Sequence, residues 1–170
     1  MEKLTRKVKR LEIEGLYRSF LVVSSMKKLP LKKAISKNLP YLSDLKDRVF
    51  EEREMLLLKM IAVDENGEYA MREGYVPEEG ATSIPFNQLI FEDGYSEDSI
   101  KESLASFDEE DIEVEFYVED INRSIKVSTS EGYETVSLEE LLEDPNNDLS
   151  PAHLTLFDKF LLFDSITENI

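Results

Sequence analysis

An α+β fold, with a long helix and a C-terminal helix packed on a small, mostly antiparallel sheet, is predicted by three segments of this 170-residue chain. From Tyr41 to about Ala62, Leu42, Leu45, Val49, Leu56 and Ile61 recur at helical spacing, and Phe50, Leu57 and Met60 widen the apolar face. Some 21 residues in this register make a helix of about 32 Å. Residues 112–119 alternate strictly. Ile112, Val114, Phe116 and Val118 fall on one side, and Glu113, Glu115, Tyr117 and Glu119 on the other, which is the period of a half-buried strand. Ser150-Pro151 then opens a terminal helix with a capping hydroxyl and a proline at the first helical position. Leu154, Leu156, Phe157, Phe160, Leu161 and Phe163 make that helix apolar around much of its circumference, as a fully buried or partner-facing helix would be.

The remaining elements follow in order. Residues 6–14 read as a strand ended by Gly15, before a helix over Leu16–Met26 with Tyr17, Phe20, Leu21 and Ser24 on one face. Pro30 and Pro40 bracket a short helical turn. Asp64-Glu-Asn-Gly67 reverses the chain, and residues 68–95 form a loop pinned to the body by Tyr69, Tyr75, Phe86, Phe91 and Tyr95. Ser96 caps a helix running through Phe107. Residues 124–129 and 133–136 are expected to extend the alternating strand as a meander, and Ser137-Leu-Glu-Glu140 is a capping box for a short helix ended by Pro145. One domain over 1–170 is expected, with a basic helical part (1–61) and an acidic mixed part (62–170).

The formal net charge of −17 divides unevenly between these parts. Residues 1–61 sum to +7 and residues 62–170 to −24. So much negative charge keeps a protein soluble and repels nucleic acid and anionic membrane, so the expected partner is a protein, with basic proteins the best match in charge, and direct nucleic-acid binding is not expected. Lys27, Lys28, Lys32, Lys33 and Lys37 form the one basic patch, without the interleaved aromatics of a nucleic-acid site. The absence of cysteine excludes disulfides and thiolate chemistry. No apolar run reaches the ~20 residues of a membrane span, and the first residues lack the apolar stretch of a secretory signal. The cytoplasm is the expected location.

Catalytic signatures fail one by one. The single histidine, His153, sits near a helix start with no nucleophile pattern around it. No glycine cluster resembles a phosphate-binding loop. Asp144, Asn146 and Asp148 have the spacing that begins a calcium loop, but Leu149 stands where that loop needs glycine and Thr155 where it needs glutamate. Neither catalytic residues, metal nor cofactor is expected. The strongest feature is an acidic run, Asp108, Glu109, Glu110, Asp111, Glu113, Glu115 and Glu119. Side chains on one face of a strand repeat every ~6.6–7 Å, close to the spacing of phosphates along nucleic acid. The run is therefore either a mimic of a phosphate row or an acidic sheet face neutralised by the chain's own Lys7, Lys9 and Arg10. Leu161 and Phe163 are the candidate apolar contacts to a partner or to a second copy.

The order of motifs resembles that of short phage- and prophage-encoded proteins of uncharacterised function. Leu29–Ala34 matches an LP-x-K-x-A segment, Arg48–Met60 a long charged helix leading to Asp64–Glu68, Glu113–Glu115 an acidic strand, and Leu149–Leu154 a closing SPA-x-L helix. The residues 69–95 and 124–136 depart from that pattern. The resemblance implies a viral accessory or virion-associated protein; with no catalytic signature in the residues, the expected role is non-enzymatic binding of another protein, as a virion or assembly component. The acidic run leaves a second expectation, an inhibitor that imitates nucleic acid and blocks a host-defence or nucleic-acid enzyme.

Overall fold

The structure, a computed structural model, describes residues 1–26 and 29–166. The strand β1 (Glu2–Lys9) leads through a 3-10 turn into α1 (Ile13–Ser24) and α2 (Lys32–Leu58), and after a long connection come α3 (Glu97–Glu109) and β2 (Asp111–Asp120). The hairpin β3 (Ser124–Thr129) and β4 (Gly132–Ser137), then α4 (Leu138–Glu143), α5 (Pro151–Phe160) and β5 (Leu162–Phe163) complete the order. The α+β class holds. Strand β2 is central in a three-stranded sheet, antiparallel to β1 from Glu2↔Val118 to Lys9↔Asp111 and parallel to β5 at Glu119↔Leu162 and Asp120↔Phe163.

Alternation along β2 decides which face is covered. Val114, Phe116 and Val118 are buried with Val8, and helices α1, α2 and α5 close over them. The Phe116 ring lies 6.3 Å from Phe20 of α1 and 5.3 Å from Phe160 of α5, so one side chain ties sheet and two helices together. A second core, Met60, Ile61, Leu89, Ile100 and Leu104, holds α3 and the long connection against the end of α2.

Four expectations are corrected. Gly15 does not end an element but lies inside α1, and the buried face of that helix is Ile13, Leu16, Phe20 and Val23, leaving Leu21 exposed. Pro40 does not separate two helices: α2 runs through it for 27 residues. The proline costs about 3 kcal/mol in a helix interior. It is exposed, so the carbonyl it leaves unbonded faces water, while Ala34, Ile35, Leu42 and Leu45 stay buried on the other side. Burying each of the larger ones contributes about 1.5–3 kcal/mol, which exceeds the proline term. Phe50, expected on the apolar face, is exposed. Finally, the β3–β4 hairpin forms its own two-stranded sheet. The edge of β2 nearest the hairpin in sequence is taken by β5 at Glu119 and Asp120 and, at Tyr117, by the side chain of Asn38, so β3 does not pair there.

The helical Gly15 yields a direct expectation. Its backbone does not need positive φ, and a Cβ there would meet nothing within 4 Å. Gly15→Ala should raise the unfolding free energy by about 1 kcal/mol, readable as a higher urea midpoint at unchanged m. An unchanged or lower midpoint would mean that residues 13–24 do not form one helix.

Candidate functional site

The acidic run is a neutralised face. Its register sets Lys9 opposite Asp111, Lys7 opposite Glu113 and Thr5 opposite Glu115, so basic side chains of β1 stand beside the acidic ones of β2. Lys3 Nζ reaches Glu115 at 3.4 Å, Lys9 pairs with Glu109, and Arg10 with Glu110. The Arg53 guanidinium takes Asp108 bidentately at 2.9 and 3.2 Å. The hydrogen bond to Glu115 and that to Glu109 push the ammonium groups of Lys3 and Lys9 up from their ordinary range. Glu119 leaves the row altogether. It is buried at 5% exposure, with Arg123 Nε 3.3 Å from its carboxylate. Of the proposed phosphate-like positions, Asp111, Glu113 and Glu115 project in a row from β2 into solvent, each beside a β1 residue, with Glu115 held by Lys3.

The other sequence candidates scatter. Leu161 is fully buried in the first core, which makes it a packing residue rather than a surface contact, and Phe163 packs half-buried at the end of β5. Lys32 and Lys33 are exposed in the first turn of α2, and Lys37 sits with its ammonium 4.9 Å from the Tyr117 ring. Lys27 and Lys28 lie outside the described residues. His153 serves as a cap: its Nδ1 accepts the Ser150 N–H at 3.2 Å while Ser150 Oγ accepts from His153 N. Asp144 accepts from Asn146 within a single turn, and no cluster of metal-binding side chains occurs among the described residues.

A better-defined surface lies on the connection between α2 and α3. Three extended segments there bond in a ring. Ala62 N–H donates to Ile90 C=O at 2.9 Å, Ile90 N–H to Ala70 C=O at 3.0 Å, and Ala70 N–H to Ala62 C=O at 2.9 Å. The bridges Ile61↔Phe91, Val63↔Tyr69 and Met71↔Leu89 belong to this ring. Gly67, at φ 79°, and Asp64, which accepts from the N–H groups of Asn66 and Glu68, make the first turn. Inward, Ile61 and Leu89 are buried, and Phe86 and Phe91 meet with ring centroids 5.5 Å apart. Tyr69 Oη donates to Glu54 at 3.3 Å, and burial together with that carboxylate pushes the phenol up from its usual range. Leu58, Val63, Met71, Val76 and Ile90 are exposed, and Leu58, Met71 and Ile84 line a hollow of about 320 Å³ beside Tyr69. Eight acidic residues and Arg72 alone supply the charge of residues 62–95. Sequence reasoning named the aromatic pins of this loop but missed its exposed apolar residues, because each bridge is a single residue pair and no run of alternation announces it.

The fold and this site define an α+β protein that carries an aromatic-pinned loop with exposed apolar residues among acidic ones. Comparison with protein-family models, with curated proteins and with solved structures returns no match in any of the three. Among the described residues, no helix is long and apolar enough to cross a membrane.

Proposed function

We propose that this chain is a non-enzymatic phage accessory protein that works by binding another protein, as an assembly or virion component. The observation that carries the reading is the exposed apolar content of the 62–95 connection. Isolated exposed apolar residues are ordinary, but here Leu58 and Met71 line one hollow with Ile84 beside a hydrogen-bonded base, and Val63, Val76 and Ile90 are exposed on the same connection. A base that is already ordered loses little entropy on docking, which favours a specific contact. The motif order shared with phage-encoded proteins supplies the setting.

Tagged protein should retain a phage structural protein through a high-salt wash, because apolar contact is not screened by ions. Met71→Asp with Val76→Asp should weaken that retention by at least about tenfold. Retention of the same partner by the double variant would sink the loop as the contact. A second reading, acidic mimicry of nucleic acid, is favoured by the eight carboxylates of residues 62–95 rather than by the paired 108–120 face. It predicts a basic host enzyme that is lost as salt is raised. Charge reversal at Glu113 and Glu115 tests the original face. Glu119 has to be left alone, since reversing a buried charge would disturb folding.

A further inference from the structure

The three-stranded sheet carries two open edges of opposite charge. On β2, the Tyr117 N–H and C=O both bond to the Asn38 side chain, and Glu119 and Ile121 donate to the carbonyls of Leu161 and Phe163. Backbone groups alternate sides along a strand, so Asp111, Glu113 and Glu115 turn theirs to this same edge, while the residues between them bond to β1. Strand β1 ends the order β1-β2-β5, and the same alternation turns the backbone groups of Lys3, Thr5 and Lys7 away from β2. None of these outward backbone groups, on either edge, has a hydrogen-bond partner among the described residues. We propose that the two edges pair between copies, β1 of one molecule adding to β2 of the next so that the sheet grows head to tail. The contact is independent of the 62–95 loop.

Three observations select a second copy as the occupant. First, the open stretches match in length, residues 3–7 on β1 and 111–115 on β2. Antiparallel addition can set Lys3 of one copy beside Glu115 of the other, Thr5 beside Glu113 and Lys7 beside Asp111, all on the exposed face of the sheet. Second, charge separates like from unlike edges. Two β2 edges would oppose Asp111, Glu113 and Glu115 to one another, and two β1 edges would oppose Lys3 to Lys7. Like charges directly opposite are destabilising, whereas joining β1 to β2 sets ammonium groups beside carboxylates. Lys7, Asp111 and Glu113 enter no ion pair among the described residues, which leaves their charges available. Third, an unpaired edge is a template for another strand, and one β1-to-β2 contact covers both kinds of edge. Because the two surfaces differ, the contact repeats without closing on itself. The net charge of −17 opposes association at long range. That repulsion is screened beyond ~8 Å at physiological salt, whereas paired strands lie about 4.8 Å apart.

Sedimentation near physiological salt should show a mass that keeps rising with protein concentration. Thr5→Pro removes an N–H that points away from β2, at a place where an edge strand tolerates proline. The β1–β2 ladder is kept, and association should weaken at least about tenfold. The chain has no cysteine, so single Thr5→Cys and Glu113→Cys variants can be mixed and joined by a short thiol-reactive cross-linker. The unlike product, joining position 5 of one copy to position 113 of another, should exceed the share that random collision gives. Cross-linking reads the contact directly, so it decides the matter even where Thr5→Pro disturbs folding. A monomer at every concentration, which would leave the β2 edge to a basic strand of some other protein, overturns the proposal. So does association undiminished by Thr5→Pro, or an excess of the like products, which would mean a closed symmetric dimer.

Discussion

Phe116→Ala is expected to lower the unfolding free energy by about 4 kcal/mol. The ring is fully buried at the centre of β2, and its neighbours Phe20 and Phe160 belong to α1 and α5. Removing it deletes the transfer contribution of the ring and leaves a cavity that three elements would have to close together. Neither helix can move in alone, since Val114 and Val118 hold the strand surface on both sides. A domain of this size has a total stability of roughly 5–15 kcal/mol, so the variant should sit near its folding limit at moderate temperature. Phe116→Leu retains much of the volume and should lose far less. Tyr133→Ala, on a residue 82% exposed in the hairpin, should change little. Chemical denaturation of the three variants checks the order. A loss below about 1 kcal/mol for Phe116→Ala would mean that the two helices do not meet over β2 as described.

Local signals made several elements legible. Strand β2 could be read because its alternation is confined to one segment and depends on no partner. Helices α3, α4 and α5 begin where Ser96, Ser137 and Ser150 accept N–H bonds from the third residue of each helix, an interaction that spans three positions and is visible in sequence. Long-range choices were not visible. Arg6 interrupts the apolar alternation of β1 because its guanidinium reaches the Leu162 carbonyl, 156 residues away. Strand β5 is two residues long, too short for any pattern. Pro40 reads locally as a break, and only the burial of α2 on both sides of it shows otherwise.

The candidate site divides along the same line. The acidic row was plain, and so was the possibility that Lys9 and Arg10 neutralise it. Lys3 and Arg53 entered only through the β1–β2 register and the α2–α3 contact. Glu119 shares the spacing of Glu113 and Glu115, yet it is covered where β5 and Arg123 close over the end of the strand. A periodic pattern identifies a face, but it does not say where along the strand that face meets solvent.

Asn38→Leu should cost about 3 kcal/mol, although it replaces a polar residue by an apolar one at a site 1% exposed. By composition alone this would be a stabilising exchange. The geometry reverses the sign. Asn38 Nδ2 donates to the Tyr117 carbonyl at 2.9 Å, and Tyr117 N–H donates to Asn38 Oδ1 at 2.9 Å. The side-chain amide thus occupies the place of a neighbouring strand on the edge of β2, immediately before β5 begins its pairing at Glu119. Leucine would leave a backbone donor and acceptor buried together, each costing about 1–3 kcal/mol when unpaired. Asn38→Asp separates the two bonds. The carboxylate can still accept from Tyr117 N–H, but it faces the carbonyl with no proton to offer. Its deficit should therefore shrink in acid, where the carboxyl gains a donor, while that of the leucine variant should not. Urea titrations of both variants at neutral and acidic pH distinguish the cases. Equal stability of Asn38→Leu and wild type would show that β2 does not depend on this amide, and with it would go the reason that the hairpin stands apart from the sheet.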